Sequence, residues 1–268
     1  MTRLALVGFR SDANSSYLRG AAEAPPLIRE AMFCESSNTW TEAGVDLPRD
    51  AFHDAGDLGE EPGADTFARI EAAVTHLLDR GHAPVSLGGD HAITYPILRA
   101  FAKRYPRLAV LHFDAHPDLY DEFGGNRLSH ACPFARIMEN GLAQRLVQVG
   151  IRTANPPQRS QVARFGVEMI EMKDFRDDLV LAFDAPVYVT FDLDGLDPSC
   201  APGVSHREPG GLTTRQAVDV IRRLRGRVVG GDVVEFNPRM DSSGMTAMVA
   251  AKLAREIAAK IVETGGQS

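Results

Sequence analysis

Three short runs of the sequence carry side chains able to do chemistry: Gly88-Gly89-Asp90-His91, Asp114-Ala115-His116-Pro117-Asp118 and Asp192-Leu193-Asp194-Gly195-Leu196-Asp197-Pro198. Each follows an apolar, β-branched stretch, at residues 84–87, 108–113 and 187–191. Along an extended chain residues i and i+2 share a face, so Asp114 projects with His116 and Asp192 with Asp194. Asp118 comes after a proline that bends the chain. Carboxylates and imidazoles gathered in this way, without a basic neighbour in sequence, repel one another unless a cation lies between them. Their mixture, with no thiolate, suits a hard ion such as Mn²⁺ better than a structural Zn²⁺. Two such ions roughly 3.5–4 Å apart can share a hydroxide and lower its pKa towards neutrality. A lone Asp-x-Asp is usually a turn or a cap. Three such runs, each closing an apolar stretch, point instead to a hydrolytic two-metal centre.

A centre of this kind needs elements that bring the three runs together. Apolar runs recur at residues 4–8, 84–87, 108–113, 146–151, 167–170, 187–193 and 228–234, with a weaker one at 52–57. Between them lie helical patterns. Residues 65–80 place Phe67, Ile70, Val74, Leu77 and Leu78 on one stripe, with Asp65 or Thr66 as cap and Gly81 as stop. Residues 213–224 and 244–261 behave likewise; the latter repeats Met245, Val249, Leu253, Ile257 and Ile261 at helical spacing. Strands alternating with helices imply parallel pairing through right-handed crossovers. Near-continuous apolar strands imply that both faces of the sheet are covered. The expected fold is α/β: three layers, αβα, around a central, mostly parallel sheet of about eight strands, in one domain over residues 1–268. In such sheets ligands bind beyond the carboxyl ends of the strands, where the three polar runs converge.

Composition narrows the function classes. The 268 residues are 44% hydrophobic and 24% charged, which is ordinary for a globular protein. A formal net charge of −7 argues against a nucleic-acid partner, which needs a basic face. Cys34, Cys132 and Cys200 are odd in number and contain no Cys-x-x-Cys pair, so neither a disulfide framework nor a structural zinc site is expected. The chain opens on an apolar run without a basic leader, and no stretch approaches the ~18 apolar residues of a membrane span. A cytoplasmic protein with no membrane partner is the expectation.

The polar runs, with Ser129-His130, resemble the motifs of the ureohydrolases, the arginase and agmatinase family. The likeness spans nearly the whole chain, from residues 14–20 through Val233-Val234-Glu235-Phe236-Asn237-Pro238. Residues 129–139, 201–212 and 244–253 look closest to the plant-type arginases. The resemblance implies two Mn²⁺ per subunit: one held by His91, Asp114, Asp118 and Asp192, the other by Asp114, His116, Asp192 and Asp194, with Asp114 and Asp192 bridging. It further implies that Asp118 orients the nucleophile, that His130 shuttles protons and that Glu235 pairs with the substrate guanidinium. A histidine titrates near neutrality, and a carboxylate can make two parallel bonds to a guanidinium, so both roles are chemically apt. Many relatives carry Ser where this chain has Ala92, a position that is not a metal ligand. Ureohydrolases of this branch are trimers or hexamers, and a homo-oligomer is the corresponding expectation.

The remaining polar residues divide less sharply. His112 shares a strand face with Asp114 and His116 but lies one pair deeper, as a support or a plain core residue. His53, His76 and His82 read as surface or helix residues, Tyr95 and Phe101 as a buried helical face, and Asp197-Pro198 as a turn. The loop from Ser205 to Gly211 is either a solvated connection or a rim element for the far end of the substrate. His206 and Arg207 in this loop, and Asn14 in a second rim element at residues 14–16, are the candidate substrate contacts. The preferred reaction is L-arginine plus water to L-ornithine plus urea. Agmatinase is the alternative, since agmatine lacks only the α-carboxylate, followed by guanidinobutyrate and formiminoglutamate hydrolysis. A single-zinc deacylase would need fewer ligands, and a non-catalytic homologue would have lost at least one.

Overall fold

The computed structural model describes residues 2–61 and 64–265. Eight strands form one sheet: β1 (Arg3–Arg10), β2 (Phe52–Gly59), β3 (His82–Leu87), β4 (Ala109–Phe113), β5 (Arg145–Ile151), β6 (Glu168–Glu171), β7 (Val187–Asp192) and β8 (Val228–Val234). Their order is β2-β1-β3-β8-β7-β4-β5-β6, and every pairing is parallel. Seven α-helices among the described residues cover the sheet: α1 (Ala24–Met32), α2 (Thr66–Asp79), α3 (Thr94–Arg104), α4 (Pro133–Glu139), α5 (Pro156–Phe165), α6 (Thr214–Arg223) and α7 (Met245–Thr264).

Two apolar layers show which face each helix covers. Ile28, Met32, Val218, Ile221, Leu253 and Ile257 from α1, α6 and α7 pack on one side of the sheet. Ile70, Val74, Ile97, Phe101 and Phe134 from α2, α3 and α4 pack on the other. The central strands β3, β4, β7 and β8 bury nearly all their residues, as strands covered on both faces must. Edge strand β2 is mostly exposed, which explains why its sequence signal is weak.

The helices that periodicity marks are present at nearly the expected bounds. Asp65 caps α2 by accepting from the Ala68 N–H, and Thr213 with Gln216 forms a capping box on α6. Helices α1, α4 and α5 gave less signal, because each opens on proline and runs for ten residues or fewer. Proline at the first turn lacks only an N–H that would have no helical partner there.

The polar runs all lie at the carboxyl ends of β3, β4, β7 and β8, four adjacent strands. Close packing at that rim depends on Gly89: a Cβ there would lie 1.8 Å from the Ser11 carbonyl oxygen at the end of β1. No described helix is long and apolar enough to cross a membrane.

Candidate active site

Where β4 ends, Asp114 faces two ways. Its Oδ2 lies 3.3 Å from His91 Nδ1, and its Oδ1 lies 3.3 Å from His116 Nδ1. Asp118 Oδ2 and Asp192 Oδ2 approach the same His91 nitrogen at 3.3 and 3.1 Å, and Asp194 Oδ2 approaches His116 Nδ1 at 3.1 Å. Three sets of potential ligands result among the described residues: His91/Asp114/Asp118/Asp192 and Asp114/His116/Asp194, joined through Asp114, and a smaller one of His91, His112 and Asp114. All six residues named from the sequence therefore converge. Asp192 belongs only to the first set here, because its Oδ1 accepts from the Asp194 N–H at 2.8 Å.

Hydrogen bonding from below fixes how these groups point. Thr190 Oγ1 lies 2.6 Å from Asp232 Oδ1, to which it gives its one proton, and so accepts from His91 Nε2 at 3.0 Å. The buried Asp232 also accepts from the hydroxyls of Tyr188 and Thr94. His91 then carries its hydrogen on Nε2, which leaves Nδ1 a bare lone pair, buried and without a hydrogen-bond partner. His112 is set in the same manner. Gln148 Nε2 donates to its Nδ1 at 3.0 Å, so its Nε2–H donates to Asp114 Oδ2 at 2.8 Å, and the ring stacks on Phe134.

A lone pair and three carboxylate oxygens facing one another in a buried space require positive charge between them. The titration of the groups says the same. Burial disfavours a charged His91, yet its carboxylate neighbours raise its pKa well above the ordinary value. Burial, then repulsion from neighbouring carboxylates, raises Asp118 and Asp192; burial also raises Asp194, against the pull of His116. The donor set of carboxylates and imidazoles is the one a hard divalent ion prefers, so the residues fit a metal.

Above this floor sit His130 and Glu235, paired at 2.8 Å through Nδ1 and Oε1. Burial alone would lower the His130 pKa; the Glu235 carboxylate overrides it and lifts the pKa to about 9. Ser16 offers two groups to His130 Nε2: its N–H at 3.1 Å, which the neutral ring accepts, and its Oγ at 2.7 Å, which accepts from the charged ring. Both protonation states thus find a partner there, as a group that takes up and releases a proton needs. Glu235 Oε1 also accepts from the His91 N–H at 2.9 Å. Among the described residues only Asp118 (φ 50°) and Glu235 (φ 65°) adopt positive φ without being glycine. Strain of this kind costs roughly 1–3 kcal/mol per residue and gathers at functional sites.

These side chains line a cavity of about 270 Å³. His206 hangs over it, with its ring centroid 5.3 Å from that of His130 and 5.9 Å from that of His116. Glu208 lines the mouth, and Arg152 ties this loop to the rim by donating to the Glu208 and Asp194 carbonyls. Two sequence candidates are placed elsewhere. The Arg207 guanidinium turns away, to the Pro202 and Met240 carbonyls. The Asn14 side chain bonds Asn126 and does not line the cavity; only the Asn14 backbone serves the site, donating to Asp90 and accepting from the His130 N–H. Sequence reasoning missed Asp90, Thr190, Asp232 and Glu208. Only Asp90 had a local signal, as the acid preceding a candidate ligand.

The sequence profile of the Arginase family matches residues 2–259. Arginase 1, mitochondrial, from Arabidopsis thaliana is 47% identical over 96% of this chain and 80% of its own length. Arginase 2, chloroplastic/mitochondrial, from the same plant is 45% identical over 96% of this chain and 80% of its own length. Among solved structures, arginase from Medicago truncatula superposes with a TM-score of 0.91 at 46% identity, covering 97% of this chain and 87% of that one. The names of these relatives correct one expectation: they point to an organelle rather than to the cytoplasm. The ligand sets and the profile agree on the rest: the chain belongs to the arginase family, as a metal-dependent hydrolase of the C–N bond of a small linear amidine.

Proposed function

We propose that the protein is an arginase with two Mn²⁺ per subunit, converting L-arginine and water to L-ornithine and urea. The observation that carries this reading is the pair of ligand sets sharing Asp114 directly beneath His130 and Glu235. His91, Asp114, Asp118 and Asp192 would hold one ion, and Asp114, His116, Asp192 and Asp194 the other. When bound, the pair supplies the positive charge that acidifies water and stabilises negative charge developing at the substrate.

The chain's own residues supply the rest. Glu235 orients the guanidinium by charge-assisted hydrogen bonding. Asp118, strained into position and raised in pKa by its buried surroundings, orients the attacking water and passes its proton to the departing amine. His130, reaching both Glu235 and the Ser16 loop, exchanges with solvent the second proton, released when a new water is activated for the next turnover. His206 closes the cavity over the guanidinium and excludes water. Glu208 lines the cavity, where its carboxylate suits the terminal ammonium that arginine and agmatine share.

The reading takes residues 1–268 as one catalytic domain and the assembly as a trimer or hexamer, to be tested by molecular mass in solution. The deciding experiment measures urea from the manganese-loaded protein with arginine and agmatine at matched concentrations. Arginine is expected to turn over faster, and Glu208→Gln to weaken the binding of both substrates. Faster release from agmatine would overturn the substrate assignment while sparing the metal ligands.

A further inference from the structure

At the amino end of the sheet, opposite the metal ligands, lies a second cavity of about 650 Å³. Arg3, Arg80, Arg104 and Arg227 line it, with His82 and Tyr105 between them, and apolar residues from the ends of β8 and α7 complete its wall. No carboxylate among the described residues lines it. Elsewhere several exposed arginines are paired with carboxylates: Arg127 with Asp121 and Glu139, Arg145 with Glu168, Arg159 with Glu171, Arg215 with Glu42. On a chain of net charge −7, four guanidinium groups around one cavity with no carboxylate partner among the described residues are a concentration of charge that needs a reason.

Helix ends account for part of it. Arg80 caps the carboxyl end of α2 and Arg104 is the last residue of α3, where a cation complements the helix dipole. Arg3 opens β1 and Arg227 directly precedes β8, so no helix end explains either. His82 between them has its pKa lowered first by burial, then by His53, and further by Arg3 and Arg80. Guanidinium forks match the oxygens of a phosphate group in pairs, which an ammonium cannot do.

We propose that this cavity binds a phosphorylated small molecule, its phosphate held by Arg3, Arg80, Arg104 and Arg227 and its organic part lying against Tyr105 and the apolar wall. The site is separate from the metal centre, so it needs no ligand of the hydrolytic reaction. The test is calorimetric titration of the metal-loaded protein with phenyl phosphate, which offers a dianion and a ring. One saturable site per chain is expected, weakened by at least about tenfold in the Arg104→Gln/Arg227→Gln double variant and unaffected by excess arginine substrate. Urea release by the variant should match that of the parent. Absence of saturable binding would overturn the proposal. So would equal binding by the variant, which would place the phosphate at the metals. A change of molecular mass in the variant, with no phosphate binding by the parent, would assign the arginines to contact with a second copy and overturn it as well.

Discussion

Replacing Thr190 by valine removes one hydroxyl and almost no volume, yet it cuts the chain that sets the tautomer of His91. Two hydrogen bonds disappear: the 3.0 Å bond from His91 Nε2 and the 2.6 Å bond to Asp232 Oδ1. Without the first, nothing obliges the ring to keep its hydrogen on Nε2, and Nδ1 is no longer reserved as a lone pair. The partner of a metal-bound imidazole is typically worth 10- to 100-fold in metal affinity, or about 1.4–2.8 kcal/mol. Asp232 keeps the Tyr188 and Thr94 hydroxyls, so the added folding cost is that of one lost bond to a charged group, about 1.5–3 kcal/mol. The assay is manganese affinity by competition with a chelator. Thr190→Val should bind manganese roughly 10- to 100-fold more weakly, while Thr190→Ser restores the affinity. Parental affinity in the valine variant would refute the reasoning, since packing alone is preserved.

Asp114→Asn should leave the protein with less than its full metal content by elemental analysis and almost no urea release, because each Asp114 oxygen serves a different histidine. His130→Ala should keep its metal yet slow urea release, by the roughly 10²–10⁴-fold typical of a lost proton-transfer group, and should alter the pH–rate profile. An unaltered profile would remove the shuttle role. Glu42, held by hydrogen bonds from Arg215 and then by Lys252, has its pKa lowered from 4.5 to about 2. Its stabilising effect is therefore full above the ordinary carboxylate value and is lost as pH falls towards about 2, so the melting-temperature gap between parent and Glu42→Gln should shrink on acidification.

The sequence made the carboxyl rim legible because its signals are local. Asp114 with His116, and Asp192 with Asp194, repeat the two-residue period of a strand, and each follows an apolar run that could only be covered on both sides. What it hid depends on register between distant strands. Thr190 reaches Asp232 because β7 and β8 pair with those residues as partners, and Gln148 reaches His112 through the pairing of β4 with β5. A threonine or glutamine inside an apolar run looks like an ordinary strand residue until its neighbour is known. Asn14 went astray for the related reason that a polar loop residue near a site can serve through its backbone, which no side-chain type announces.

Loss of the metal should expose how much of this rim is held against its own charge. In the metal-free protein Asp118, Asp192 and Asp194 have raised pKa values, and so does His91. For a group whose folded pKa is raised, acid or base alike, its contribution is most favourable at low pH and is lost as pH rises through the folded value. All four groups therefore weaken the metal-free fold as pH climbs. Two groups are lowered instead: Asp114, which is ionised in the folded and the unfolded chain alike from about pH 5 upward and so adds no slope there, and His112, lowered by burial, one group against four. The loaded protein is further stabilised by binding, more so at higher pH because protons no longer compete for the ligands. The gap in melting temperature between loaded and chelator-treated protein should accordingly be wider at about pH 8 than at about pH 5. An equal gap at both would mean that something other than bound cation offsets the repulsion among these carboxylates, and the case for a metal centre would fail with it.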